Sequence, residues 1–125
     1  MTTEEIRKRL AMLGYTYNMA DEGMIEFCID KVEEHIKAVT ACVPIPDGLT
    51  HTAIDMVCGE FLRLKKSVGQ LTGYTFEQVA NNVKLGDTSV TFAADASPEA
   101  QFDACVNYLI SGHESDLYAY RKLVW

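Results

Sequence analysis

The stretch that decides the fold is Asp21–Val39, with the sequence DEGMIEFCIDKVEEHIKAV. Its apolar residues recur every three or four positions, which is the spacing of one face of an α-helix: Ile25, Ile29, Val32, Ile36 and Val39. Asp21 is a residue type that caps helix N-termini, and Pro44 and Pro46 prevent the helix from continuing. The stretch therefore predicts one long amphipathic helix.

The flanking sequence predicts further helices. Thr2 with Glu5 forms a capping-box pattern that opens a short first helix ending at Gly14. A third helix follows Pro46-Asp47-Gly48 and ends near Gly69, and Arg63, Lys65 and Lys66 suit the negative end of its dipole. Ser97-Pro98-Glu99 opens another helix, because a capping serine precedes proline at the first helical position. We expect an all-α fold, a small bundle of four to five helices in a single domain, 1–125.

One segment departs from the helical pattern. After a short helix over Thr75–Asn82, the apolar spacing changes to two residues on either side of a predicted turn at Gly86 and Asp87: Val83, Leu85, Val90 and Phe92. This pattern predicts a short β-hairpin or extended loop near residues 83–93. An isolated hairpin is marginally stable in water, so we expect it to contact a neighbouring surface.

Composition limits the function. The net charge of −7 and the pI of about 4.8 disfavour a nucleic-acid-binding surface, because like charge repels phosphate. The sequence has neither a signal-peptide pattern at its N-terminus nor an apolar run long enough for a membrane span, so we expect an intracellular protein without membrane contact. The four cysteines are widely spaced and lie mostly among apolar neighbours, which favours buried free thiols over disulfides or zinc.

Catalytic motifs are absent from the sequence. It has no nucleotide-binding glycine loop, no H-E-x-x-H and no G-x-S-x-G. His35, His51 and His113 are far apart, and surface or cap roles explain them better than metal binding; His51 with Asp55 fits a helix-surface hydrogen bond. We predict no catalytic residue, no cofactor and no metal. An enzyme that uses Cys58 or Cys105 as a nucleophile stays open, and it requires an accessible thiol near a histidine.

A role in folding does not fully explain two features of the sequence. The first is an acidic face on the long helix, where like charges stack at helical spacing: Glu22, Glu26, Asp30 and Glu33 or Glu34. Solubility, a basic partner and a charged pore lining all explain it. The second is the C-terminal segment, which is rich in the residue types of binding hot spots: Tyr118, Tyr120, Arg121 and Trp125. Docking onto the protein's own core is the alternative for this segment.

Four stretches carry a resemblance to a known family: Leu10–Tyr15, Ala53–Leu62, Val83–Phe92 and Tyr120–Trp125. In them the chain resembles the small head-tail connector proteins, also called adaptor or head-completion proteins, of tailed phages and Gram-positive prophages. The stretch that begins Gly86-Asp87-Thr-Ser-Val is the most specific part, together with the terminal Tyr-Arg and Trp.

The resemblance implies a structural virion protein at the head-tail interface, present in the host cytoplasm during assembly. It implies a homo-oligomeric ring, a dodecamer in the virion, that docks under the portal protein. A tail-proximal head-completion or stopper protein binds its far face, and double-stranded DNA passes through without specific binding. The loop residues Val83, Leu85, Gly86, Asp87, Val90 and Phe92 would contact a neighbouring subunit or line the channel, and the C-terminal segment would dock on the portal. The competing class is a host-type helical adaptor or regulatory module that binds one protein partner as a dimer.

Overall fold

The computed structural model describes residues 1–41, 45–71, 73–86, 97–112 and 114–120. These residues form helices α1 (Thr3–Met12), α2 (Glu22–Thr40), α3 (Thr50–Ser67), α4 (Gly73–Gly86), α5 (Pro98–Ser111) and α6 (Glu114–Ala119). Short 3-10 helices precede α2 at Met19–Asp21 and α3 at Asp47–Leu49. Across these ranges no residue is in a strand, so the predicted all-α class is confirmed.

The first helix begins and ends as its sequence predicts. The Thr2 side chain accepts a hydrogen bond from the Glu5 backbone N–H, and α1 buries Ile6 and Leu10. After the helix, Gly14 has a positive φ of 96°, a conformation that glycine adopts without strain. A Cβ at Gly14 would lie 2.9 Å from Gln78 Cβ, so this turn also lets the end of α1 approach α4 closely.

Helices α2 and α3 pack as an antiparallel pair. Asp21, directly before α2, contacts Lys65 near the end of α3, and Lys31 in the middle of α2 contacts Glu60. Since the start of α2 lies beside the end of α3, the turn between the two helices lies at the Thr40 end of the pair. Helix α2 buries most of the apolar stripe that the sequence predicts, including Ile25 and Ile36, and α3 buries its own apolar face, including Phe61.

Helix α3 is central, because it packs against α1, α2 and α5. Its closest approach to α5 is at Gly59, where a Cβ would lie 2.7 Å from Ile110 Cγ1 and 3.0 Å from Leu109 Cβ. Helix α4 packs on the other side of α5, with the rings of Phe76 and Phe102 4.8 Å apart. One hydrophobic cluster contains buried residues from all six helices. A search of the described ranges found no helix long and apolar enough to cross a membrane.

The predicted hairpin is wrong in its first half. Helix α4 continues to Gly86, so Val83 and Leu85 lie in a helix and not in a strand, and Gly86 is the last helical residue and not a turn residue. Val83 is buried because it continues the helical series Phe76, Val79, Ala80 at i, i+3, i+4 and i+7. Val83 and Leu85 are two residues apart, which is also the spacing of apolar residues in a strand, and this spacing led to the wrong prediction. Asp87, Val90 and Phe92 lie outside the described residues.

Candidate interaction surfaces

The acidic face, Glu22, Glu26, Asp30 and Glu33, lies along one side of α2. Glu26 and Asp30 are exposed, whereas Glu22 and Glu33 are half-buried beside the core stripe. Within the described ranges none of the four carboxylates has a salt bridge. Four acids of like charge on one helix side, without cationic partners, leave a negative surface open to another molecule.

The cations that could have neutralised this face in an adjacent copy have partners within the chain. Lys65 binds Asp21 at 2.8 Å, and Lys66 binds Asp103 at 2.6 Å and Glu99 at 3.0 Å. Arg63 donates a hydrogen bond to Asn107. Arg63, Lys65 and Lys66 therefore tie α3 to its neighbours and do more than complement the dipole of their own helix. They are poor candidates for an intersubunit contact with the acidic face.

Lys65 and Asp21 form a buried ion pair that sequence reasoning missed. The Asp21 carboxylate accepts hydrogen bonds from Lys65 Nζ at 2.8 Å, Tyr15 Oη at 2.5 Å and the Asn18 backbone N–H at 3.2 Å. Burial acts to raise the pKa of Asp21, but these hydrogen bonds and the charge of Lys65 outweigh burial and lower it. Burial and the bond to Asp21 raise the pKa of Tyr15. The Asp21 side chain makes no cap bond to α2, so the predicted position is right and the predicted role is wrong.

An exposed aromatic ring lies next to the acidic face. Phe27, in the second turn of α2, is 61% exposed. Asp30 and Gly23 are three residues after and four residues before it and share its side of the helix. Nothing lies within 4 Å of a Cβ built on Gly23, so the ring borders open space. We call Gly23, Glu26, Phe27 and Asp30 the Phe27 surface.

The C-terminal segment is partly docked on the protein itself. Leu117 of α6 is fully buried, whereas Tyr118 beside it is 59% exposed. Tyr120 is 41% exposed, and its hydroxyl lies so close to Gly48 that any side chain there would collide with it. Arg121 and Trp125 lie outside the described residues. In its described part the segment therefore has a core residue, Leu117, and an aromatic side chain, Tyr118, that is more than half exposed.

Helix α6 runs along α2 toward the turn between α2 and α3. At its start, Glu114 binds His35 Nε2 at 3.1 Å, and at its end Tyr120 lies against Gly48. A cleft of about 130 Å³ opens beside the His35 contact and is lined by Lys31, Val32, His35, Met56, Glu60, Ile110, Ser111 and Glu114. Its charged groups already form the pairs Lys31–Glu60 and His35–Glu114. The cleft is thus a seam between α2, α3, α5 and α6.

Comparison with known proteins was made by sequence and by structure. No family model, no curated protein and no solved structure matches this chain. The side chains themselves therefore carry the functional argument, beside the resemblance in the sequence.

The described thiols are inaccessible to solvent. Cys28, Cys58 and Cys105 are buried and form no disulfide with one another. Burial, and then the charge of Glu60, raises the pKa of Cys28 to about 11, and burial raises that of Cys58. The Cys58 thiol contacts the Ile6 carbonyl oxygen, and the Cys105 thiol contacts that of Ala80. A buried neutral thiol is a poor nucleophile, which argues against Cys58 or Cys105 as the centre of an enzyme.

The remaining candidate ligands do not converge. Asp55 accepts a hydrogen bond from Arg9 Nε at 2.8 Å, so the helix-surface pairing predicted with His51 is replaced by a contact between α1 and α3. No group of three His, Cys, Asp or Glu side chains in the described ranges could hold a metal ion. Within the part of the chain that the structure describes, the surfaces left for function are the acidic face, the Phe27 surface and the exposed part of the C-terminal segment.

Proposed function

We propose that this chain is a ring-forming head-tail connector of a tailed phage or prophage. It docks under the portal, extends the DNA channel toward the tail, and receives a tail-proximal stopper protein on its far face. Four sequence stretches support the family. Their expectation of a small helical bundle agrees with the all-α fold.

The observation that carries the proposal is the placement of two unlike surfaces at opposite ends of the α2–α3 pair. The Phe27 surface belongs to the first half of α2, and Tyr118 and Tyr120 lie toward the turn after Thr40. Two unlike patches suit a subunit that has unlike neighbours, with the next subunit of a ring at one patch and the portal at the other. The subunit contacts of such a ring are head-to-tail, and the ring closes when the rotation between subunits permits. A dimeric adaptor, the competing class, would instead be expected to use one patch twice.

The remaining roles follow from the same proposal. The portal-docking side is the segment with Tyr118, Tyr120, Arg121 and Trp125. The segment from Val83 to Phe92 approaches a neighbouring subunit through its part beyond α4. The net charge of −7 suits a channel through which DNA passes without being gripped, because negative walls repel phosphate. The acidic face can lie at the channel or at the boundary between subunits.

The first test is assembly with the portal. We expect the chain and its portal to form a complex that contains a closed ring of this chain, because head-to-tail contacts accumulate when a template aligns the subunits. The neighbouring genes supply the portal to be used. Mass measurement in solution and electron microscopy of the mixture give the ring and its subunit number. A stable dimer both with and without the portal would support the adaptor instead.

A second prediction concerns Tyr118. Replacing it by alanine should lower the affinity for the portal by about tenfold or more, because exposed aromatic side chains are frequent hot spots. The folding midpoint should stay near that of the wild type, since the ring is mostly solvated. Portal binding and thermal unfolding measure the two effects.

Met12→Ala is the matched control for Tyr118→Ala, because Met12 is exposed on α1 and belongs to none of the three surfaces. Any deletion in this region has to begin after Leu117, because that residue is part of the core. Equal portal affinity for Tyr118→Ala and Met12→Ala would remove Tyr118 from the docking site.

A further inference from the structure

The Phe27 surface combines an apolar ring with carboxylates that have no salt bridge to any described residue. Phe27 is mostly exposed, Asp30 lies three residues after it on the same side of α2, Glu26 lies one residue before it on the adjoining side, and open space borders Gly23. Lys31, four residues after Phe27, is paired with Glu60. Met19, just before α2, adds a second exposed apolar side chain at the same end of the helix. Such a surface fits a partner segment that presents cations next to apolar side chains.

The cations of the described helices are largely committed. Those with a charged or hydrogen-bonding partner are Lys8, Arg9, Lys31, Arg63, Lys65 and Lys66. Arg7 stacks on the Tyr17 ring, and Lys37 is on α2 itself, one turn after Glu33. The sequence Arg121-Lys-Leu-Val-Trp125 joins two adjacent cations to three apolar residues. It is complementary to the Phe27 surface in both charge and hydrophobicity.

We propose that the C-terminal segment Arg121–Trp125 of one copy binds the Phe27 surface of the next copy in the ring. Arg121 and Lys122 pair with Glu26 and Asp30, and the apolar residues that follow cover Phe27. This inference rests on the proposed function and supplies its subunit contact. With Arg121 and Trp125 used between subunits, Tyr118 and Tyr120 remain as the residues that dock on the portal.

The proposed ring selects a second copy over the same chain, because its subunits need a head-to-tail contact. Tyr120 lies at Gly48, at the Thr40 end of α2, whereas Glu26 is fourteen residues back along that helix, about 21 Å at 1.5 Å per residue. The backbone of two residues spans at most about 7 Å, so a contact of Arg121 or Lys122 with Glu26 in the same subunit would need both long side chains extended as well. A same-subunit contact would leave the wild type monomeric.

Paired charge reversal of the full chain tests this contact. One variant carries Glu26→Lys and Asp30→Lys, and the other carries Arg121→Glu and Lys122→Glu. We expect the wild type to associate with rising concentration, up to about 1 mM, where even weak contacts are populated. Each variant alone should associate at least tenfold more weakly, since its two surfaces then carry like charge. An equimolar mixture should regain association, because each surface of one variant is complementary to the other. Sedimentation velocity measures all three samples.

Glu4→Lys with Glu77→Lys is the control for charge, because it makes the same change on exposed acids of α1 and α4. It should associate like the wild type. A wild type that stays monomeric at about 1 mM, or a mixture no better than its components, overturns the inference. So does a Glu26→Lys, Asp30→Lys variant that forms normal portal-bound rings and retains DNA, which places the face in the channel.

The test also separates this inference from the proposed function. If the mixture regains association but nothing assembles on the portal, the contact of the C-terminal segment is supported and the function as a head-tail connector is contradicted. If portal-bound rings form with every charge-reversal variant, the connector function is supported and the contact of the C-terminal segment is contradicted.

Discussion

Lys65→Met is expected to lower the free energy of unfolding by about 3–5 kcal/mol. The substitution keeps most of the aliphatic chain but removes the ammonium that binds Asp21 at 2.8 Å, in a site where the two side chains are 10% and 4% exposed. The Asp21 carboxylate would then be buried without a counter-charge. Since a domain of this size is stable by only about 5–15 kcal/mol, the loss is a large part of the total. Chemical denaturation at neutral pH measures it.

Lys8→Ala is the control for Lys65→Met, because its pair with Glu4 is exposed and should contribute less than about 0.5 kcal/mol. The double variant Lys65→Met, Asp21→Asn should recover part of the loss, since no uncompensated charge remains. If Lys65→Met and Lys8→Ala unfold at the same denaturant concentration, the buried pair does not stabilise the fold.

The pH dependence of stability follows from the same pair. The folded state lowers the pKa of Asp21, so the pair stabilises the protein above the unfolded pKa of about 3.9 and loses this contribution as the pH falls through the lower folded value. In Lys65→Met the main cause of the lowered pKa is absent, so less stability should be lost in that acid range. Unfolding curves between about pH 2 and pH 6 compare the two proteins.

Gly59→Ala is expected to destabilise the protein by up to about 2 kcal/mol, although alanine is the better helix former. The new methyl group would lie 2.7 Å from Ile110 Cγ1, 3.0 Å from Leu109 Cβ and 3.3 Å from the Val106 carbonyl oxygen. Helix α5 would have to move away from α3, and overpacking of this kind costs about 1–3 kcal/mol. The gain in helix propensity of about 1 kcal/mol offsets only part of it.

Gly23→Ala makes the same chemical change where the space around the residue is open, and it should stabilise the protein by about 0.5–1 kcal/mol. The two variants are compared by denaturant unfolding at micromolar protein concentration. Stabilisation by both substitutions would mean that α3 and α5 do not approach at Gly59.

Local patterns in the sequence are sufficient for α1, α2, α3 and α5. Thr2 caps α1, Ser97 caps α5 with Pro98 behind it, and the stripe from Ile25 to Ile36 is buried in α2. These features depend on residues within one or two turns of one another, where the period of 3.6 and the unsatisfied N–H groups at helix ends act. The same locality explains the error at Val83. A two-residue alternation of apolar side chains fits within the end of a helix as well as within a strand.

Side-chain partners distant in sequence could be identified only from the tertiary structure. Asp21 and Lys65 are 44 residues apart, and either looks like a terminal helix charge until α2 and α3 pack antiparallel. Nothing in the sequence distinguishes Gly59 and Gly48 from other glycines. In the structure, α5 packs closely against Gly59, and the ring of Tyr120 packs against Gly48. The sequence by itself determined most of the helices, the acidic face and the aromatic C-terminal segment, because composition and period are local properties. Tertiary packing decided which charges are paired and which surfaces remain free, because both depend on where separate helices meet.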